Sequence, residues 1–126
     1  MPHEQFKSCI EACFACAEAC DHCAASCLKE KDVQKMARCI ALDIDCAELC
    51  RLAAAYMSRG SECARDLCAL CADVCETCGD ECAKHKMEHC QACAEACGRC
   101  AEECRRMAGT QSRSREAHGG KRPSAH

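Results

Sequence analysis

In the first third of the chain, cysteine recurs at Cys9, Cys13, Cys16, Cys20, Cys23 and Cys27. The steps alternate between four and three residues. Their mean of about 3.5 is the repeat of an α-helical seam that faces its neighbours in a bundle. Six thiols therefore share one inward stripe, where leucine and isoleucine normally stand. The same spacing returns further on. A third segment carries Cys68, Cys71, Cys75, Cys78 and Cys82, continued by His85, with Cys63 out of phase near its start. A fourth carries Cys90, Cys93, Cys97, Cys100 and Cys104, continued by Met87 upstream and Met107 downstream. The second segment keeps the step but not the residue: Met36, Cys39, Asp43, Cys46, Cys50, Ala53, Met57.

These segments predict four helices, over about 4–28, 33–57, 62–83 and 87–108. Asp32 is expected as the N-cap of the second. Gly60 suits the stop before the third, with Ser61 as the next N-cap. Strand signals are missing: there are no alternating β-branched runs and no Asn-Gly turns. The expected fold is all-α, an antiparallel up-down-up-down four-helix bundle with a cysteine-lined core, spanning residues 4–108 as one domain. From Gly109 to His126 the periodicity is lost in a polar, turn-rich tail, expected to be disordered.

With 20 cysteines in 126 residues, a disulfide scaffold has to be weighed first. Such scaffolds are secreted, and the start Met-Pro-His-Glu-Gln-Phe-Lys lacks the basic and apolar regions of an export signal. No run is long and apolar enough to span a membrane. The expected setting is the cytoplasm, where thiols stay reduced and clustered cysteines bind metal. A formal charge of −3 argues against a nucleic-acid partner.

Sulfurs at i and i+3 or i+4 on a helix are neighbours, close enough for two thiolates to hold one small soft ion. Cu(I) favours thiolate and accepts low coordination numbers. If each thiolate bridges two coppers, capacity approaches one per cysteine, or about 20 per chain. Zinc is the rival metal, but it takes four tetrahedral ligands, and continuous seams do not divide naturally into tetrahedra. The ferredoxin cysteine run is absent, against iron–sulfur clusters. A catalytic cysteine would need one thiol set apart beside a base, so no enzyme is expected. A thiol-redox buffer and a single-ion chaperone complete the alternatives. Helical i/i+3 and i/i+4 pairs are poorly placed for disulfides, and twenty inward thiols suit storage better than delivery.

The two ends of such a bundle differ. One gathers Cys27, Met36, Cys82, His85, Met87, His89 and Cys90; the other gathers Phe6, Ile10, Leu52, Tyr56, Met57 and Met107. Copper is expected to enter at the His/Met end, with the apolar end plugged. Asp43 stands at a core position, where an unpaired carboxylate is costly, and is expected at an inner metal site. Met36 and Met87 are candidate ligands on the seam, and His22 is expected outside.

Over Cys9 to Met107 the chain resembles the bacterial copper storage proteins. The resemblance is most specific in Cys75-Glu76-Thr77-Cys78-Gly79-Asp80-Glu81-Cys82-Ala83-Lys84-His85 and in Met87-Glu88-His89-Cys90-Gln91-Ala92-Cys93-Ala94-Glu95-Ala96-Cys97. It implies a cytosolic store of many Cu(I) ions, lumen ligands at the cysteines named above, mouth ligands at His85 and His89, and a homotetramer. Copper chaperones or cuproenzymes are the implied exchange partners. Independently of the resemblance, Leu42, Leu49 and Tyr56, and Leu67, Leu70 and Val74, offer either flanking core or a subunit interface.

Overall fold

The computed structural model describes residues 2–119. A single turn, α1 (Pro2–Gln5), leads through Phe6 into four long helices: α2 (Lys7–Cys27), α3 (Ala37–Ser58), α4 (Ala64–Ala83) and α5 (Glu88–Gly119). No strand occurs among the described residues. Short connections make successive helices antiparallel, and each packs on its two neighbours in the ring order α2–α3–α4–α5. The architecture is the expected four-helix bundle.

The boundaries show which local signals act. Gly60 takes φ 65°, a conformation open mainly to glycine. Its N–H bonds to the Met57 carbonyl at 3.0 Å and the Ser61 N–H to the Tyr56 carbonyl at 3.0 Å. Those two bonds are the Schellman closure of α3. Ser61 does not cap α4 directly. Cys63 holds the N-cap position, and its N–H donates to the Ser61 hydroxyl at 3.0 Å. Asp32 also makes no side-chain cap; it opens a 3-10 turn, Val33–Met36, so α3 starts at Ala37, later than the cysteine phase alone suggests. The fourth helix passes the expected stop near Ala108 and stays helical to Gly119; Gly109 does not take the positive φ with which Gly60 closes α3. The rest of the expected tail, 120–126, lies outside the described residues.

The core is built mainly of small residues. Cysteines fill its centre and alanines such as Ala17, Ala47, Ala54 and Ala72 fill the helix contacts, with Met36, Met57 and Asp43 the largest fully buried side chains. Helices α4 and α5 approach closely at Gly79, where a Cβ would lie 3.1 Å from the Cys97 Cβ. Gly79→Val is therefore expected to destabilise the reduced apo-protein by about 1–2 kcal/mol through overpacking, read from its thermal unfolding midpoint by circular dichroism. An unchanged midpoint would mean the two helices separate freely at this point.

Candidate metal centre

Every cysteine except Cys63 is buried, and all are free thiols. The seam spacing puts them on the inner face of their helices, and the antiparallel ring stacks the four seams around one lumen. From the α5 N-terminal end inward, the sulfurs follow one another almost without a gap. Cys27 lies 3.9 Å from Cys90, and Cys23 lies 3.8 Å from both. Cys93 reaches Cys20 at 3.5 Å and Cys20 reaches Cys97 at 3.8 Å. Cys16 touches Cys46 at 3.8 Å, Cys46 touches Cys75 at 3.6 Å, and Cys50 touches Cys71 at 3.7 Å and Cys100 at 3.8 Å. Cys100 meets Cys13 at 3.7 Å, and Cys9 meets Cys104 at 3.6 Å. The column ends where the Cys68 thiol donates to the Met57 thioether at 3.5 Å.

The sulfurs form overlapping quartets. Cys16, Cys20, Cys46 and Cys97 lie within 4.8 Å of one another; so do Cys16, Cys46, Cys50 and Cys75, and so do Cys20, Cys78, Cys93 and Cys97. Two further quartets, Cys13/Cys71/Cys100/Cys104 and Cys23/Cys27/Cys39/Cys90, stand towards the two ends. Shared members are what bridging thiolates require. Burial pushes the Cys27 and Cys90 thiols up, Cys90 to about 11. Both are protonated at neutral pH and must release protons to bind metal.

Asp43 interrupts the sulfur. It is fully buried, and its Oδ1 accepts from the thiols of Cys78 at 3.2 Å, Cys93 at 3.3 Å and Cys82 at 3.4 Å. The Cys39 thiol approaches Oδ2 at 3.8 Å. Burial raises its carboxyl to about 8, with neighbouring sulfur charge adding to the rise.

The two histidines at the mouth behave differently. His89 turns Nδ1 toward Cys90 at 3.6 Å and Cys27 at 3.9 Å, while Nε2 meets the Glu30 carboxylate at 3.0 Å. A proton on Nε2 leaves the Nδ1 lone pair facing the sulfurs, the arrangement of a carboxylate-oriented metal ligand. His85 turns Nε2 to Glu81 at 3.1 Å. Against the burial that opposes its ionisation, hydrogen bonds from His85, Lys84 and Arg38 hold the Glu81 carboxylate below its usual value. Met36 is buried at this end, and Met87 packs half-buried on the core.

At the opposite end Phe6, Ile10 and Met57 are buried. The Arg65 guanidinium lies 5.2 Å above the Phe6 ring and bonds to the Met107 carbonyl and, at 3.3 Å, to Gln5. Leu52, expected in this plug, is instead 46 % exposed on the outer face of α3. Cys63 is exposed and outside the lumen, and His22 is exposed as expected. Sequence reasoning missed Glu30, Glu81 and Arg65. Glu81 was findable, four residues before His85 on one helix; Glu30 and Arg65 act across the fold and leave no local signal.

A family model described as copper storage protein matches residues 2–109. A cysteine-rich protein of Bacillus subtilis, YhjQ, is 52% identical over 83 residues, covering 65% of this chain and 77% of its own. The fold is similar to that of the Cu(I)-bound copper storage protein BsCsp3, with TM-score 0.78 and 52% identity over 81% of this chain and 96% of that one. It is also similar to a cytosolic copper storage protein from Streptomyces lividans bearing five coppers, with TM-score 0.82 and 42% identity over 86% and 95% of the two chains.

Proposed function

The chain belongs to the copper storage protein family, and from that premise we propose that it is a non-enzymatic cytoplasmic store holding many Cu(I) ions on the lumen thiolates. The observation that carries this reading is the shared sulfur lattice, whose quartets exchange members along the lumen. A thiolate that bridges two ions halves the anionic charge buried per copper, so a continuous column accommodates more metal than isolated pairs. Low-coordinate Cu(I) fits a lattice that has sulfur on all sides.

The buried cysteines are the inner ligands in this reading. His89 with Cys27 and Cys90 forms the receiving site, assisted by His85, Met36 and Met87, where chaperones or cuproenzymes exchange copper. Residues 4–108 are the storage unit. Assembly of several copies follows the family resemblance, with Leu70, 49 % exposed, beside half-buried Leu67 and Val74 on α4 as apolar surface.

Anaerobic Cu(I) titration of the reduced chain against a high-affinity Cu(I) chelator tests the proposal. Binding should saturate near the number of buried cysteines, with the chelator outcompeted throughout. Cys63→Ser should leave that number unchanged, as should a chain ending at Ala108, which keeps every cysteine. Saturation at one or two ions would exclude storage.

A further inference from the structure

The five quartets described above are all sulfur, and at one level of the same lumen a carboxylate caps a triangle of thiols. We propose that Asp43 Oδ1 with the sulfurs of Cys78, Cys82 and Cys93 forms a tetrahedral three-sulfur, one-oxygen site that takes one Zn(II) per chain. This goes beyond the copper reading and does not depend on it.

Geometry carries the argument. Zinc bond lengths near 2.3 Å to sulfur and 2.0–2.2 Å to oxygen place tetrahedral ligands about 3.6 Å apart for sulfur–oxygen pairs. The three sulfurs stand 3.2, 3.3 and 3.4 Å from the one oxygen, so the cage needs to open by only about 0.3 Å on that measure. The Cys78 and Cys93 sulfurs also lie within 4.8 Å of each other. Three helices supply the four ligands: α3 gives Asp43, α4 gives Cys78 and Cys82, and α5 gives Cys93.

Chemistry points the same way. Carboxylate oxygen is a poor ligand for soft Cu(I), but it is an ordinary one for borderline Zn(II). The second oxygen is already occupied, because the Cys39 thiol lies 3.8 Å from Oδ2. That contact turns Oδ1 toward the sulfur triangle and disperses carboxylate charge, as an outer-sphere partner does. Full burial also keeps water from the position, so the site is complete without an open coordination place and is structural in character.

The test is anaerobic titration of the reduced, metal-free chain with Co(II), as a visible stand-in, and then with Zn(II). One Co(II) should bind ahead of all others, with tetrahedral ligand-field bands and charge-transfer intensity for three thiolates, and Zn(II) should displace it. Asp43→Leu should weaken Zn(II) binding by more than about 100-fold, beyond the loss typical of an outer-sphere partner, while helicity is kept. Asp43→Cys should retain the single tight step, with charge-transfer intensity raised from three thiolates to four. Four-thiolate intensity in the natural chain, or equal intensity in Asp43→Cys, would overturn the site, as would unchanged Zn(II) affinity in a folded Asp43→Leu. A normal Cu(I) count without the Co(II) step would remove the zinc site alone. The reverse result would remove the copper store alone.

Discussion

Loading with Cu(I) is expected to raise the thermal unfolding midpoint of the chain by at least about 15 °C. The apo-protein has little to hold it together. Its largest fully buried side chains are Met36, Met57 and Asp43, and cysteine and alanine each bury less apolar area than the leucine or phenylalanine of an ordinary bundle core. A ligand that binds only the folded state adds about 4 kcal/mol per site when present at a thousandfold excess over its dissociation constant. Two such sites would contribute about 8 kcal/mol, and a domain of this size gains several degrees per kcal/mol. Thiols of the unfolded chain also bind copper and reduce the effect. They cannot reproduce quartets drawn from separate helices, such as Cys20 on α2 with Cys78 on α4 and Cys93 and Cys97 on α5. Differential scanning calorimetry of apo and loaded protein measures the gap. A shift of only a few degrees would place the copper outside the lumen, because a surface ion cannot cross-link three helices as the lumen quartets do.

Much of this was legible in the residues because the deciding signals are local and periodic. A step of 3.5 sets which face of each helix looks inward, so the lumen cysteines, Asp43 and Met57 could be placed before any coordinates. Gly60 was legible because the Schellman closure demands positive φ. Cys63 was already out of phase with its neighbours, and its exposure follows from that. Leu52 was misplaced because proximity to the end of a helix does not decide its face: two residues after Cys50, it is turned well away from the seam. The helix start at Ala37 was misjudged because Val33–Met36 keeps the helical sense while tightening to a 3-10 turn, which cysteine spacing cannot register. Glu30 and Arg65 reach their partners only after the fold brings distant segments together. Hence the unequal roles of the two mouth histidines are visible in the structure and not in the string.

That inequality yields the second large effect: His89→Phe is expected to slow Cu(I) uptake by about tenfold or more while leaving the final copper count unchanged. Phenylalanine keeps much of the ring's bulk, so the mouth stays covered, but it removes the Nδ1 that faces Cys27 and Cys90. Those two thiols are protonated at neutral pH because burial raises both. An arriving ion therefore meets a thiol layer that must first lose protons. With Nε2 turned to Glu30, Nδ1 is the ring atom placed to take the ion first and hold it beside the sulfurs. Glu30→Gln should slow uptake by less, since it weakens the orientation of the ring and keeps the ligand. The opposite end offers no substitute route, because Phe6 is sealed beneath Arg65. Phe6→Ala in the His89→Phe background should therefore recover part of the lost rate, and Phe6→Ala alone should change the count very little. Stopped-flow transfer from a coloured Cu(I) complex reads each rate. Uptake at the natural rate in His89→Phe would remove the gate from this end, and a rate governed by Phe6 alone would move it to the other.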